Sequence, residues 1–167
     1  MHQDRPERTE RADVVVIGGG PAGSASALRL ARLGLHVVQL ERRIFGAPEN
    51  DRFRSGEGAL PATITALARL GVGAEAGSWT LTKACSVRLR WPDGSVAVDR
   101  LPRGQFIRVL DREQFDASLW QAATDAGVDS RCGWNVRQLL LEGATVTGLV
   151  ATGPRGETVA IDAPLVI

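Results

Sequence analysis

Three glycines that follow a run of β-branched residues have the spacing that points most directly to chemistry. Gly18, Gly20 and Gly23 form a GxGxxG pattern at the point where a helical pattern begins. In this context Gly18 permits a tight turn, Gly20 lets a pyrophosphate approach the backbone, and Gly23 allows close contact between helix and strand. The anion then lies on unpaired N–H groups at the helix N-terminus, where the helix dipole favours negative charge.

The elements that must position this loop can be predicted from the surrounding pattern. Residues 12–17 are a short, mainly β-branched apolar run, which is typical of a strand buried on both faces of a parallel sheet. Residues 21–33 begin with Pro21 and Ala22 and carry apolar residues at helical spacing, and residues 36–40 form a second apolar run. Strand, glycine turn, helix and strand together predict a βαβ unit.

Glu41 ends the second predicted strand, eighteen residues after Gly23. Its carboxylate could accept hydrogen bonds from both ribose hydroxyls of an adenosine. A carboxylate there would repel a ribose 2′-phosphate and so disfavours NADP, although Arg42 and Arg43 weaken that objection. Both FAD and NAD are compatible with these residues.

Alternation and capping signals predict the remaining elements. Residues 61–70 and 111–126 are predicted helices, the second with Asp111 and Gln114 as a capping pair. Apolar residues alternate over 87–98 around a Pro-Asp-Gly-Ser turn, which predicts an antiparallel hairpin where a further βαβ unit would be expected. Short strands are predicted near residue 128 and over 136–141, 146–151 and 158–161. The sequence therefore predicts an α/β fold, a parallel sheet with helices plus an antiparallel β-meander.

Composition limits the function classes. The chain has 167 residues, 44% of them hydrophobic, and a formal net charge of +1, as expected for one globular domain. No single-sign charge block suggests a nucleic-acid partner. No apolar stretch reaches the roughly 20 residues of a membrane span, so we expect a cytoplasmic protein.

The N-terminus and the potential metal ligands carry little signal. Residues 1–11 alternate in charge and are predicted to be a disordered, solvated tail. Cys85, Cys132, His2 and His36 show no ligand spacing, so no metal site is predicted.

Three segments resemble one family. Residues 13–42, DVVVIGGGPAGSASALRLARLGLHVVQLER, resemble the FAD-binding N-terminus of flavoprotein monooxygenases and of their relatives, the flavin-dependent halogenases and geranylgeranyl-reductase-like enzymes. Residues 53–72 are similar to the halogenase GE…LP segment, and residues 107–128 to the family's Arg-led helix. The resemblance implies a Rossmann-like FAD/NAD(P)-binding fold with FAD as cofactor. It also implies that residues 12–167 are the incomplete N-terminal part of the FAD-binding domain, truncated before the substrate domain.

The resemblance also implies roles for single residues. The pyrophosphate of FAD would lie on the loop from Gly18 to Gly23, and Glu41 would hold the adenosine ribose. Arg42 matches a basic neighbour of the adenosine, Arg112 an arginine near the flavin nucleotide, and Val136 a backbone contact to adenine. For Arg112 a solvated position on its helix stays open as the alternative.

Lys83 and Glu57 are the candidate catalytic residues by resemblance. Tryptophan halogenases carry a lysine eight residues before a tryptophan, as Lys83 and Trp91 stand here, and that lysine relays hypohalous acid to the substrate. A solvated lysine beside a strand is the alternative. Glu57, in the GE…LP segment, would be an active-site carboxylate or else a loop partner of Arg52 or Arg54. The family's bulky Trp-Met pair after the glycine loop is absent here.

The function implied by the resemblance is that of a flavin-dependent oxidoreductase, monooxygenase- or halogenase-like, acting on a small organic and aromatic substrate. NAD(P)H or a partner flavin reductase would supply the electrons. Two alternatives stay open: an NAD-dependent dehydrogenase using the same loop, and a catalytically inactive truncated flavoprotein. The arginine-rich segment after Glu41 and the predicted hairpin disfavour the dehydrogenase.

Overall fold

The computed structural model describes residues 6–47, 57–72 and 78–167. The chain divides into two compact units. The terminal unit comprises residues 1–51 and 116–167, and the insert unit comprises residues 52–115.

A four-stranded parallel sheet positions the glycine loop in the terminal unit. Its strands are β2 (Val14–Ile17), β3 (Val37–Glu41), β9 (Asp129–Cys132) and β13 (Leu165–Val166), and helix α1 (Pro21–Ala31) connects β2 to β3. The strand order is β13–β2–β3–β9. The predicted βαβ unit is confirmed. Pro21 at the first helical position suits the helix start, because its missing N–H has no intrahelical acceptor there.

A second sheet of the terminal unit is a largely antiparallel meander. It consists of β1 (Thr9–Arg11), β10 (Asn135–Glu142), β11 (Thr145–Thr152) and β12 (Thr158–Asp162), in the order β1–β12–β11–β10. Strands β10, β11 and β12 pair antiparallel, and β1 pairs parallel with β12. The predicted meander is therefore confirmed.

One hydrophobic core joins residues of the two sheets of the terminal unit. Small and β-branched residues dominate it, and its members are Ala12, Val15, Val38, Leu40, Leu149, Ala151, Val159, Ile161 and Ala163. Side chains alternate along a strand, so Gln39 and Glu41 of β3 face away from the side on which Val38 and Leu40 lie. Gln39 and Glu41 therefore share the face of the sheet that meets the glycine loop and α1.

The prediction of a disordered tail over residues 1–11 is wrong for its last part. Thr9–Arg11 forms β1, and Glu10 lies opposite Ile161 of β12. The Arg131 Nη2 atom lies 2.6 Å from a carboxylate oxygen of Glu10. A sheet ladder is made by backbone groups, so a polar segment of alternating charge can pair at a sheet edge. Residues 1–5 lie outside the described part of the chain.

The insert unit contains a small antiparallel sheet and a helix. Strands β4 (Gly58–Ala59), β5 (Thr80–Ala84) and β8 (Ile107–Leu110) are ordered β4–β8–β5, and α2 spans Pro61–Arg69. The rings of Trp79 and Phe115, both buried, have centroids 4.9 Å apart.

The remaining strands of the insert unit form the predicted hairpin. Strands β6 (Ser86–Arg90) and β7 (Val96–Arg100) pair antiparallel around a turn in which Gly94 has a φ of 85°. The Ser95 N–H and hydroxyl both donate to Asp93 Oδ1, at 2.9 and 2.6 Å. Every residue of both strands is exposed.

Helix α3 (Arg112–Asp125) begins in the insert unit and continues into the terminal unit. Asp111 Oδ1 accepts from the N–H groups of Glu113 and Gln114, and Gln114 Nε2 donates to Asp111 Oδ2 at 2.9 Å. The capping pair expected from the sequence is present. No helix in the described part of the chain is long and apolar enough to cross a membrane.

Candidate cofactor-binding site

Gly18 and Gly23 are glycines because the fold leaves no alternative. Gly18 has a φ of 113°, and its N–H donates to the Leu40 carbonyl oxygen at 2.8 Å. A Cβ at Gly23 would lie 2.1 Å from the Gly18 carbonyl oxygen and 3.4 Å from Val16. The two glycines therefore bring the start of α1 against the end of β2, as the sequence pattern predicts.

Gly20 is different, because the protein itself does not require a glycine there. A Cβ at Gly20 would meet no heavy atom within 4 Å, and its φ of −75° is available to any residue. Gly20 is followed by Pro21 and Ala22 in the first turn of α1, where backbone N–H groups have no intrahelical acceptors. Open space beside these donors fits the close approach of a pyrophosphate.

Glu41 is 4% exposed and lies at the end of β3 beside the glycine loop. Its Oε2 accepts from the Gly19 N–H at 2.6 Å, and its Oε1 accepts from the Arg43 N–H at 2.8 Å and from Arg43 Nε at 3.1 Å. Burial alone would raise the pKa of the Glu41 carboxyl, but these hydrogen bonds and the Arg43 charge outweigh burial and hold the pKa below its ordinary value. Glu41 is therefore an ionised acceptor.

Arg43 is a residue that the sequence interpretation did not assign to the site. It is half-buried against Glu41, whose hydrogen bond raises the pKa of the Arg43 guanidinium. Arg42, the basic neighbour implied by the resemblance, is exposed. The sequence does not distinguish two adjacent arginines. Because β3 ends at Glu41, the chain places Arg43, and not Arg42, against the Glu41 carboxylate.

Trp120 of α3 is a second residue that the sequence did not single out. A Cβ at Gly19 would lie 2.7 Å from the Trp120 ring and 2.9 Å from the Cβ of Glu41. Phe45 supports the Trp120 ring, with centroids 5.2 Å apart. Trp120 therefore makes Gly19 the third sterically required glycine of the loop. A single tryptophan on a predicted helix carries no local signal of such a contact.

Val136 lies in β10 and packs against the core of the terminal unit. Its ladder pairing to Ala151 is followed by a register shift before Gln138. Such an irregularity leaves backbone groups outside the regular ladder, which suits the backbone contact to adenine expected at Val136. The contact itself stays a prediction.

The three expected site residues of the insert unit are Lys83 on β5, Glu57 directly before β4, and Arg112 on α3. Lys83 is exposed on β5 opposite Arg108, with its Nζ 5.7 Å from the Phe106 ring centroid. Glu57 is exposed, and its carbonyl oxygen accepts from the Leu110 N–H at 2.6 Å. Arg112 is the first residue of α3 and is half-buried.

These positions leave the roles of Lys83, Glu57 and Arg112 as predictions. The suggested partners of Glu57, Arg52 and Arg54, lie outside the described residues. Within residues 6–47, 57–72 and 78–167, no cluster of His, Cys, Asp and Glu could hold a metal ion.

The residues of the terminal unit fit a dinucleotide such as FAD. The open face of Gly20 leaves room for a pyrophosphate, and Glu41 presents an ionised acceptor beside the loop. The hydrogen bond from the Gly19 N–H to Glu41 Oε2 brings these two features together, although Gly19 and Glu41 are 22 residues apart in sequence.

Comparison with known proteins supports the same cofactor. A family model for the FAD binding domain matches residues 11–167. The digeranylgeranylglycerophospholipid reductase of Methanothrix thermoacetophila is 33% identical over 159 residues, which are 94% of this chain and 38% of that protein. The chain thus spans little more than a third of this relative's length.

Solved structures show the same fold. The myxobacterial chondrochloren halogenase matches with a TM-score of 0.82 and 29% identity, over 94% of this chain and 36% of that one. A geranylgeranyl bacteriochlorophyll reductase-like protein of Thermoplasma acidophilum matches with a TM-score of 0.79 and 28% identity, over 95% and 38% of the two chains. Both groups are those that the sequence motifs resemble. Since the family model covers nearly every residue, this chain belongs to the FAD-binding domain family, and its cofactor is FAD.

Proposed function

We propose that this chain is the FAD-binding part of a flavin-dependent oxidoreductase that acts on a small organic substrate. The observation that carries the proposal is the open space at Gly20, a glycine for which the protein's own packing gives no reason. It lies at the start of α1, where N–H groups and the helix dipole favour an anion. When bound, FAD supplies the electron transfer that such an oxidoreductase needs.

The loop from Gly18 to Gly23 would hold the pyrophosphate, and Glu41 would hold the ribose diol. Each carboxylate oxygen can accept two hydrogen bonds, and Gly19 and Arg43 supply all four. The ribose hydroxyls would therefore replace the two longest of these bonds, from Arg43 Nε at 3.1 Å and Arg43 Nη2 at 3.3 Å. Arg43 also offsets the charge that Glu41 would otherwise present to the phosphates. Val136, Arg42 and Arg112 keep their proposed roles near the adenine, the adenosine and the flavin nucleotide.

Replacement of Glu41 tests the adenosine assignment. We expect Glu41→Ala to weaken FAD binding by about 1.5 to 3 kcal/mol, because a hydrogen bond to a charged group is lost. Titration calorimetry measures this change, and Glu142→Ala, at an exposed glutamate on β10, is the control. A chain that binds NADH and not FAD would contradict the proposal and favour the dehydrogenase.

For the reaction, we propose halogenation or oxygenation of an aromatic substrate, with NAD(P)H or a partner flavin reductase as electron source. The structural similarity to a halogenase supports it. Lys83 is the single lysine of the chain, and its exposed amine could donate a hydrogen bond to hypohalous acid more compactly than a guanidinium. Glu57 is proposed as a carboxylate of the same site.

A second candidate reaction is reduction of an isoprenoid lipid. It is favoured by the 33% identity to a digeranylgeranylglycerophospholipid reductase over 94% of this chain. The two candidates differ in what they require of Lys83, because only hypohalous acid transfer needs its amine.

A hybrid protein can separate the two reactions. Residues 1–167 would replace the matching part of the chondrochloren halogenase, and halide-dependent products would be measured with and without Lys83→Arg. We expect the substitution to abolish halogenated product and to leave NAD(P)H-driven flavin reduction unchanged. Normal halogenation by the Lys83→Arg hybrid would exclude the proposed role.

A further inference from the structure

Two polar side chains lie buried beneath the glycine loop. Gln39 of β3 and Ser24 of α1 are both fully buried, with exposed fractions of 0%. Gln39 stands in a strand whose preceding residues are the apolar Val37 and Val38. Amides are seldom fully buried in such a strand, so the position calls for an explanation beyond packing.

Both side chains donate hydrogen bonds toward carbonyl oxygens of the loop. Gln39 Nε2 donates to the Gly18 carbonyl oxygen at 2.9 Å and to Ser24 Oγ at 3.2 Å. Ser24 Oγ in turn donates to the Gly19 carbonyl oxygen at 3.2 Å. Both amide hydrogens of Gln39 are used, and each bond ends on a loop carbonyl or on the hydroxyl that leads to one.

These bonds determine how the loop peptides are oriented. The Gly18–Gly19 peptide is held at both ends, its oxygen by Gln39 and its N–H by Glu41 Oε2 at 2.6 Å. In the next peptide, Ser24 holds the Gly19 oxygen. Because C=O and N–H point in opposite directions in a trans peptide, the Gly20 N–H points away from Ser24. The Gly20 N–H therefore points away from the buried hydrogen bonds. Gly20 is also the residue at which an added Cβ would meet no heavy atom within 4 Å.

We propose that Gln39 and Ser24 are positioning residues that hold the loop carbonyls inward and so aim the Gly20 N–H at the pyrophosphate of FAD. The inference rests on the proposed function, in which this loop binds the pyrophosphate. Without the two side chains, the peptides could rotate and present carbonyl oxygens to the phosphates. A partial negative charge there would oppose binding.

Stability alone gives little reason for Gln39. Its Oε1 atom is buried and has no hydrogen-bond partner among the described residues. A methionine would remove that unpaired acceptor, which is destabilising, but would also remove the bonds donated to the Gly18 oxygen and to Ser24 Oγ. Because the gain and the losses oppose each other, Gln39→Met should change the unfolding temperature of the FAD-free chain little, while weakening FAD binding.

The experiment uses the full chain and separates positioning from folding. FAD affinity is measured by calorimetry for the wild type, Gln39→Met, Ser24→Ala and the control Ser26→Ala, two residues further along α1. ADP and adenosine are then measured as competitors of FAD, and thermal unfolding is recorded without ligand. We expect roughly tenfold weaker binding of FAD and ADP to Gln39→Met and Ser24→Ala, the scale of one hydrogen bond. Adenosine has no phosphate, so its affinity for the two variants should equal its affinity for the wild type. The control Ser26→Ala should bind FAD and ADP with wild-type affinity.

Three outcomes would overturn the inference. Wild-type affinity for FAD in both variants would show that the network does not position the loop. An equal loss for adenosine and ADP would show a general structural role. If Gln39→Met fails to fold, Ser24→Ala decides alone. If the wild type binds no FAD, the proposed function fails, and the inference fails with it.

Discussion

The terminal unit and the insert unit differ in how their strands are covered. In the terminal unit, β3 is buried at all five residues and lies between two parallel neighbours. In the insert unit, β6 and β7 are exposed at every residue, including Leu89 at 55%. The same class of apolar and β-branched residue is therefore core in one unit and surface in the other.

Hydrophobic patterning therefore identifies a strand but does not decide whether that strand is buried. In β6 and β7, alternation and the Asp93–Gly94 turn specify the hairpin through local geometry. In β2 and β3, continuous apolar runs specify burial on both faces. The proposed cofactor-binding residues lie at the ends of these buried strands, with the glycine loop after β2 and Glu41 at the end of β3.

Gly23 offers the largest expected effect. Gly23→Ala places a methyl group 2.1 Å from the Gly18 carbonyl oxygen, so we expect a loss of about 3 kcal/mol of unfolding free energy and of FAD binding. Chemical denaturation measures the first and calorimetry the second. Gly94→Ala in the hairpin turn is the control, where only a positive φ opposes the change, at about 1 kcal/mol. Equal losses at both glycines would contradict the contrast between the units.

A substitution at Gly20 should weaken FAD binding without lowering the unfolding free energy. Gly20→Val puts its side chain into space that the protein leaves open, so unfolding free energy should stay within about 0.5 kcal/mol. FAD affinity should fall about a hundredfold, or about 2.7 kcal/mol, because the pyrophosphate loses its approach. Unchanged flavin binding by this variant would remove the loop from the cofactor site.

Glu41 should make the terminal unit sensitive to acid. Its pKa is held below the ordinary value of 4.5, so its ionised form stabilises the fold fully above that value. The stabilisation is lost as pH falls through the lowered pKa. We expect Glu41→Gln to lack this part of the pH dependence when unfolding free energy is followed from neutral pH to about pH 3. Glu142→Gln, on exposed β10, is the control, and an unchanged profile in Glu41→Gln would contradict the assignment.

Leu89 offers the smallest expected effect. Leu89→Thr on the exposed hairpin should change unfolding free energy by no more than about 0.5 kcal/mol. Leu149→Ala, in the core of the terminal unit, should lower it by about 2 to 5 kcal/mol. A large loss from Leu89→Thr in denaturation experiments would mean that the hairpin surface is covered in solution.

Local signals predicted most of the framework. Pro21 at the start of α1 and Asp111 at the start of α3 mark helices by properties of single residues. Gly18 and Gly23 are required by a dihedral angle and by one contact with a near neighbour in sequence. Strand β1 was not predicted from the sequence. Thr9–Arg11 becomes a strand because it pairs at the sheet edge with the backbone of β12, about 150 residues away in sequence.

The glycine loop, the βαβ unit and the position of Glu41 could be predicted because each follows from backbone preferences and short periodicities. Tertiary packing was needed to show that Arg43 pairs with Glu41, that Trp120 closes the space over Gly19, and that Gln39 holds the loop. These contacts join residues that are distant in sequence or equivalent in type. Their partners are chosen by how α1, α3 and β3 pack, and local preferences carry no information about that packing.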